Sequence, residues 1–318
     1  MRLLPFAVFA ALALAGPAAA DDGKHEDATD ATVSTIGDDR IVESSGLALS
    51  ARWDDLAYTI NDSGHHPMIY AIRVSNGDVV GVTDLNRFDV EDTESVAVDS
   101  QGVLWLGDLG DNDHVRNDVS IIAFPEPGPG DHHLGTADQY GVTFPDGPVD
   151  VEGLLVQPET QQVHLVSKNR SARGAIYALP TLRPGASVTA KAVGEAPKAV
   201  TDATFTHDGR WALLRTNDAV WVYNPKTWQP VDVIETPRLQ QGESITVERG
   251  DRTVLLGSEG QNSPILRVPL PVLPDDADPI RLTDPPPGGV HVPPALGLVI
   301  AGALLIVGAA VALRRNRV

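Results

Sequence analysis

Between residues 42 and 273 the chain alternates short runs rich in Val, Ile, Leu, Tyr and Trp with clusters of Gly, Asp and Asn. No stretch there sustains the apolar period of an amphipathic helix over a useful length, so the pattern predicts many short strands separated by tight turns. Leu56–Ile60, Val103–Leu106, Met68–Ile72, Ile176–Leu179 and Val220–Tyr223 are representative strands.

The strands recur in a fixed grammar. Five units open alike, with Glu43-Ser44-Ser45-Gly46-Leu47-Ala48, Glu94-Ser95-Val96-Ala97-Val98, Glu152-Gly153-Leu154-Leu155-Val156, Asp202-Ala203-Thr204-Phe205 and Glu243-Ser244-Ile245-Thr246-Val247. Their spacing, about 40 to 60 residues, is the length of a four-stranded blade and predicts a single all-β β-propeller. Fourth strands are read at Val79–Val82, Gln139–Val142, Val188–Ala190 and Val231–Ile234, and the fifth unit lacks one. Ala31–Ile36 can supply it, closing the ring by pairing the two ends, which favours five blades over the alternative of six.

The ends of the chain read differently. Arg2, an apolar run from Leu3 to Leu14 and the small residues Ala18-Ala19-Ala20 before Asp21 form a signal-peptide pattern over residues 1–20. Residues 21–31 carry no apolar period and read as a flexible leader. After the propeller, residues 32–273, comes a proline-rich stretch, 274–294, with the composition of a stalk. Residues 295–313 are apolar and uncharged, about long enough for one transmembrane helix, and the basic tail 314–318 places the C-terminus in the cytoplasm. The expectation is a single-pass protein of the cell membrane with its large domain outside the cytoplasm.

Composition narrows the partners. The formal charge is −19, with 43 acidic residues against 24 basic ones, and Arg2, Arg314, Arg315 and Arg317 lie outside the propeller. Such a surface repels nucleic acid and attracts cations or basic partners. There is no cysteine, so disulfides and thiolate metal sites are excluded.

In a propeller the first strand of each blade lines the axis, and the turn between second and third strands opens on the mouth where that strand begins. Glu43, Glu94, Glu152, Asp202 and Glu243 are therefore expected to ring one mouth, facing turns such as Asn61-Asp62-Ser63-Gly64 and Asp108-Leu109-Gly110-Asp111-Asn112-Asp113. Two readings follow. Each acid can lock its blade by accepting amide hydrogen bonds, or the carboxylates can form an oxygen-lined site for Ca2+. The metal-ligating candidates are Glu91, Glu94, Asp108 and Asp111, with Glu43 and Glu152 nearby. The pairs His65-His66 and His132-His133 fall in loops, and the five tryptophans are read as blade packing rather than a ligand platform.

The segments Glu43–Ala48, Asn61–Gly64, Val90–Ser95 and Gly107–Asn112 resemble secreted bacterial β-propellers of the broad WD40-like and phytase-like groups. For the phytase-like group the resemblance implies six blades and calcium-dependent or esterase-like activity, but no catalytic residue set of that group maps onto this chain. Two functions stay open: a calcium-stabilised module binding a protein or glycan ligand, and a hydrolase of phosphoester or glycosidic bonds using carboxylates at the mouth. No Gly-x-Ser-x-Gly, phosphate-cradling loop or His-Glu-x-x-His is present.

Overall fold

A computed structural model describes residues 31–62, 64–237 and 239–282. The signal-peptide pattern 1–20, the leader up to residue 30, most of the proline-rich stretch, the apolar segment 295–313 and the basic tail 314–318 lie outside the described residues. Among the described residues no helix is long and apolar enough to cross a membrane.

Five sheets make up the molecule. Blade 1 is built from Ser44–Leu49, Leu56–Asn61, Met68–Arg73 and Val79–Asp84, and blade 2 from Thr93–Val98, Val103–Asp108, Ser120–Pro125 and Asp138–Thr143. Blade 3 comprises Val151–Val156, Val163–Ser167, Gly174–Ala178 and Lys191–Ala196, and blade 4 comprises Ala219–Asn224 and Gln229–Glu235 outside Val200–Phe205 and Ala212–Thr216. Blade 5 takes Gly242–Val247, Thr253–Ser258 and Ser263–Pro269 from the end of the propeller and its outermost strand, Ala31–Ile36, from the beginning. Ala31 pairs with Arg267 and Ile36 with Ser263, antiparallel, so the ring closes as the sequence predicts.

Apolar residues on both faces of each sheet explain why the blades assemble. Five buried clusters fill the five interfaces between neighbouring blades. The cluster between blades 5 and 1, for example, joins Ile36, Leu255 and Ile265 to Leu47, Ala57 and Ile72. All five tryptophans sit in or against these clusters, in keeping with the packing role. Each first strand also packs against the first strand of the next blade, and that of blade 5 against blade 1, which leaves five strands around one axis.

One strand departs from expectation. Val188-Thr189-Ala190 reads as the outer strand of blade 3, but that place is held by Lys191–Ala196. Ser187–Thr189 instead crosses to the edge of blade 2 and pairs in parallel with Gly141–Thr143. Gly141 permits the approach: a Cβ there would come within 2.5 Å of the Ser187 hydroxyl. The real outer strand is polar and half exposed, so its composition does not announce it. A second parallel addition, His132–His133, covers the edge of blade 1. Residues 274–282, the start of the proline-rich stretch, lie along the propeller: the Ile280 amide donates to the Pro230 carbonyl at 2.8 Å, and Arg173 Nη2 donates to the Leu282 carbonyl at 2.9 Å.

Candidate functional site

Every first strand carries a bulge near its start. The register slips between Ser45 and Leu47, Thr93 and Ser95, Val151 and Gly153, Val200 and Asp202, and Gly242 and Ile245. A bulge bends the strand and re-aims the side chain at the extra residue. Matched through the pairs Ser44–Asn61, Thr93–Asp108, Val151–Ser167, Val200–Thr216 and Gly242–Ser258, the next residues along are Ser45, Glu94, Glu152, Thr201 and Glu243. The five acids expected at one level are thus not equivalent. Glu43 belongs one level out, with Asp92 and Asp150, as the backbone confirms: Asp62, Leu109 and Lys168 donate their amides to the carbonyls of Glu43, Asp92 and Asp150, each at 3.0 Å. Asp202 belongs one level deeper, with Ser95 and Ser244.

These two outer levels and the adjoining turns form the acidic mouth. One carboxylate oxygen from each of Asp62, Asp92 and Glu94 lie within 4.8 Å of one another, and so do oxygens of Glu94, Asp150 and Glu152. Glu94 belongs to both triads. Glu152 is 1% exposed; its Oε1 takes a 2.6 Å bond from Lys168 Nζ, while its Oε2 meets no donor among the described residues. Asp92 Oδ1 is likewise buried without a donor.

Burial of so many acids shifts their titration. Burial, with Glu152, Asp62 and Asp92 beside it, pushes Glu94 well above the usual carboxylate range. Burial and the Asp62 carboxyl raise Asp92 to about 7, and burial raises Glu152 to about 8 although Lys168 pulls it back. Glu259 rises to about 7 through burial and the nearby Glu243, and Glu243 is itself raised by burial. Beneath them Arg215, fully buried, donates to the Ser244 carbonyl, and burial lowers it to about 10 although Glu243 and Asp202 favour its charge.

Of the six predicted ligands, the structure brings Glu94 and Glu152 into the triads. Asp108 sits at the end of its strand with its oxygens engaged: Oδ1 accepts the amides of Glu91 and Asp92 at 3.1 and 2.8 Å, and Oδ2 accepts Arg116 Nη2 at 3.0 Å. Asp111 accepts the Val115 and Arg116 amides at 2.8 and 3.0 Å, holding the same loop. The Glu91 side chain points to solvent, 4.0 Å from Arg116, and Glu43 pairs with His65 at 3.1 Å. Acids in turns readily spend their oxygens on local amides, and two of the six do so here. Four further residues of the mouth are outside the six predicted ligands: Asp62 and Lys168, which belong to turns expected there, Asp92, the neighbour of Glu91, and Asp150. Their signal is positional: Asp92 and Asp150 lie two residues before the bulge residues Glu94 and Glu152, and Asp62 and Lys168 immediately follow the second strand.

No family model matches the chain, and no curated protein matches it. Among solved structures, similar folds include one in a nidogen/laminin complex, with a TM-score of 0.45, 15% identity and coverage of 68% of this chain and 72% of that one. A gluconolactonase from Xanthomonas campestris has a TM-score of 0.42 and 17% identity, covering 74% of this chain and 89% of that one. The five-bladed fold rests on the strand pairing itself. Neither likeness bears on activity, and none of the comparisons places the chain in the WD40-like or phytase-like groups.

Proposed function

We propose that the protein is a binding propeller that takes one divalent cation, calcium, at the acidic mouth. The observation that carries this reading is the pair of carboxylate triads meeting at Glu94, with the buried Glu152 Oε2 lacking a donor. Oxygens within 4.8 Å of one another can lie on one sphere of about 2.4 Å radius, the calcium–oxygen distance. A cation also offsets the burial and the mutual repulsion that raise Glu94, Asp92 and Glu152. An affinity of roughly 0.1 to 1 mM suffices outside a cell. Binding to the folded state alone then raises the melting temperature of the full chain by about 3 to 5 °C at about tenfold excess over Kd. Coincident melting curves in calcium and in chelator would overturn the assignment.

The setting of this site, on our reading, is extracytoplasmic, with the apolar segment 295–313 as anchor and a protein or glycan as ligand. Protease added to intact cells then removes the propeller and leaves a short membrane-bound stub, whereas protection of the whole chain excludes that topology. A second reading, hydrolysis of phosphoesters or glycosides, draws on the acids of the mouth, where burial raises Asp92 and Glu259 to about 7, a value suited to donating a proton at neutral pH. Turnover of a phosphoester or glycoside by the purified chain, lost in Glu259→Gln, would select it.

A further inference from the structure

The two triads that meet at Glu94 differ in how their oxygens are held. In the outer one, Asp62 and Asp92 are half-buried, and their carboxyls are hydrogen-bonded to each other. In the inner one, Glu94, Asp150 and Glu152 are all buried. The chain supplies donors to the inner triad from two sides and stops short of completing it. The Asp111 amide bonds Asp150 Oδ1 at 3.1 Å, and the Asp150 carbonyl takes the Lys168 amide at 3.0 Å. Lys168 directly follows the second strand of blade 3, and its Nζ turns back to Glu152 Oε1 at 2.6 Å. Asp150 and Glu152 are thus each fixed through one oxygen. Glu152 Oε2 is the remainder: it belongs to a residue 1% exposed and meets no donor among the described residues.

A carboxylate oxygen enclosed in protein without a donor bears the full loss of its hydration, so native folds seldom leave one unanswered. The groups that bear on Glu152 most strongly are Lys168, Asp150 and Glu243. Two of these are acids, and Lys168 reaches Oε2 only by releasing Oε1. A water molecule answers the oxygen but brings no charge to three buried acids, whereas a divalent cation answers both needs. We propose that the ion of the mouth is seated in the inner triad, on Glu152 Oε2 together with Glu94 and Asp150, while Lys168 stays on Oε1. This rests on the reading of the mouth as a divalent-cation site and names its ligands. Lys168 is then a neighbour of the ion rather than its competitor, because each takes a different oxygen of Glu152. Asp62 and Asp92 lie outside the ligand set.

The test is calcium titration of the purified full-length chain in mild detergent, by calorimetry, on wild type and four single variants. Asp150→Asn and Glu152→Gln keep the size of the side chain and an acceptor oxygen for Asp111 or Lys168, and each is expected to weaken calcium binding about tenfold or more. Asp62→Asn and Asp92→Asn are expected to weaken it about threefold or less, through lost long-range attraction alone. If Glu152→Gln fails to fold by circular dichroism, Asp150→Asn carries the same expectation. The proposal holds if every folded inner variant loses more affinity than both outer ones. An outer variant that loses as much as an inner one overturns it and leaves the cation site standing. Wild type that binds no calcium overturns both.

Discussion

Asp202 and Glu94 are acids buried on the same axis, one level apart; burial pushes both above the usual carboxylate range, and they differ in the donors that oppose it. Asp202 is 1% exposed and Glu94 is 3% exposed. Around Asp202 the donors converge: the Ile245 amide at 2.9 Å, the Ala203 amide at 2.7 Å and the Ser95 hydroxyl at 3.2 Å, with Arg215 close by. Ser95 in turn accepts the Leu154 amide at 3.0 Å, so the two side chains Asp202 and Ser95 link blades 2, 3, 4 and 5 across the axis. Among the described residues Glu94 has a 3.5 Å contact with the Ser45 hydroxyl and otherwise faces Glu152, Asp62 and Asp92, against the weaker pull of Lys168. Burial alone therefore does not distinguish a locking residue from a ligand; the supply of donors does.

The comparison breaks most visibly at Asp202. Asp202→Ala strips a buried carboxylate from three donors and leaves Arg215 facing an unbalanced site, an expected loss of about 3 to 5 kcal/mol in urea unfolding. A loss below about 1 kcal/mol would mean that the axial donors do not hold the blades. Asp108→Ala, which releases two amides and Arg116 in the blade 2 loop, is expected to cost about 1 to 3 kcal/mol. That cost should be equal in calcium and in chelator; a cost that appears only in calcium would return Asp108 to the ligand set.

The mouth also predicts the direction of a pH effect. Asp92, Glu259 and Glu152 have folded-state values of about 7, 7 and 8, above their unfolded values near 4. Their contribution to stability is complete below about pH 4 and is lost as the pH rises through the window from about 4 to 8. Melting in chelator should therefore fall across the upper part of that window. Calcium, which needs the deprotonated forms, should protect most at pH 8 and least at pH 5. A flat profile in chelator would show that the acids are ionised throughout. The smallest expected change is Glu94→Gln without calcium, within about 1 kcal/mol of wild type, because burial and the neighbouring acids already disfavour the charge that the amide removes. The same variant should lose the calcium-induced rise in melting temperature, and retaining it would remove Glu94 from the site.

The fold was legible in the sequence wherever apolar residues and turn residues alternate. Five repeated openings announced five blades, and the orphaned strand Ala31–Ile36 announced the closure. The outer strand of blade 3 was hidden because Lys191–Ala196 buries little, while Val188 and Thr189 have the β-branched side chains that usually mark a strand. The site was half legible. Acids recur near the start of each first strand, but a bulge adds one residue at that point, so a count along the chain puts Glu43 and Asp202 level with Glu94 when they lie above and below it. Asp92, Asp150 and Lys168 owe their roles to that added residue and to the strand ends it aligns, which no composition records.

The closing strand also has a mechanical meaning. Ser263–Pro269, the last strand before the C-terminal segment, is flanked by Thr253–Ser258 on one side and Ala31–Ile36 on the other. A force arriving from beyond residue 282 first meets the bonds of Leu282 to Arg173 and Ile280 to Pro230. It then meets a strand held by two ladders rather than one. Without Ala31–Ile36 that strand would be an edge and could peel away one hydrogen bond at a time. With it, the load is shared on both sides, and the N-terminal strand serves as the clamp through which a pulled chain would have to break.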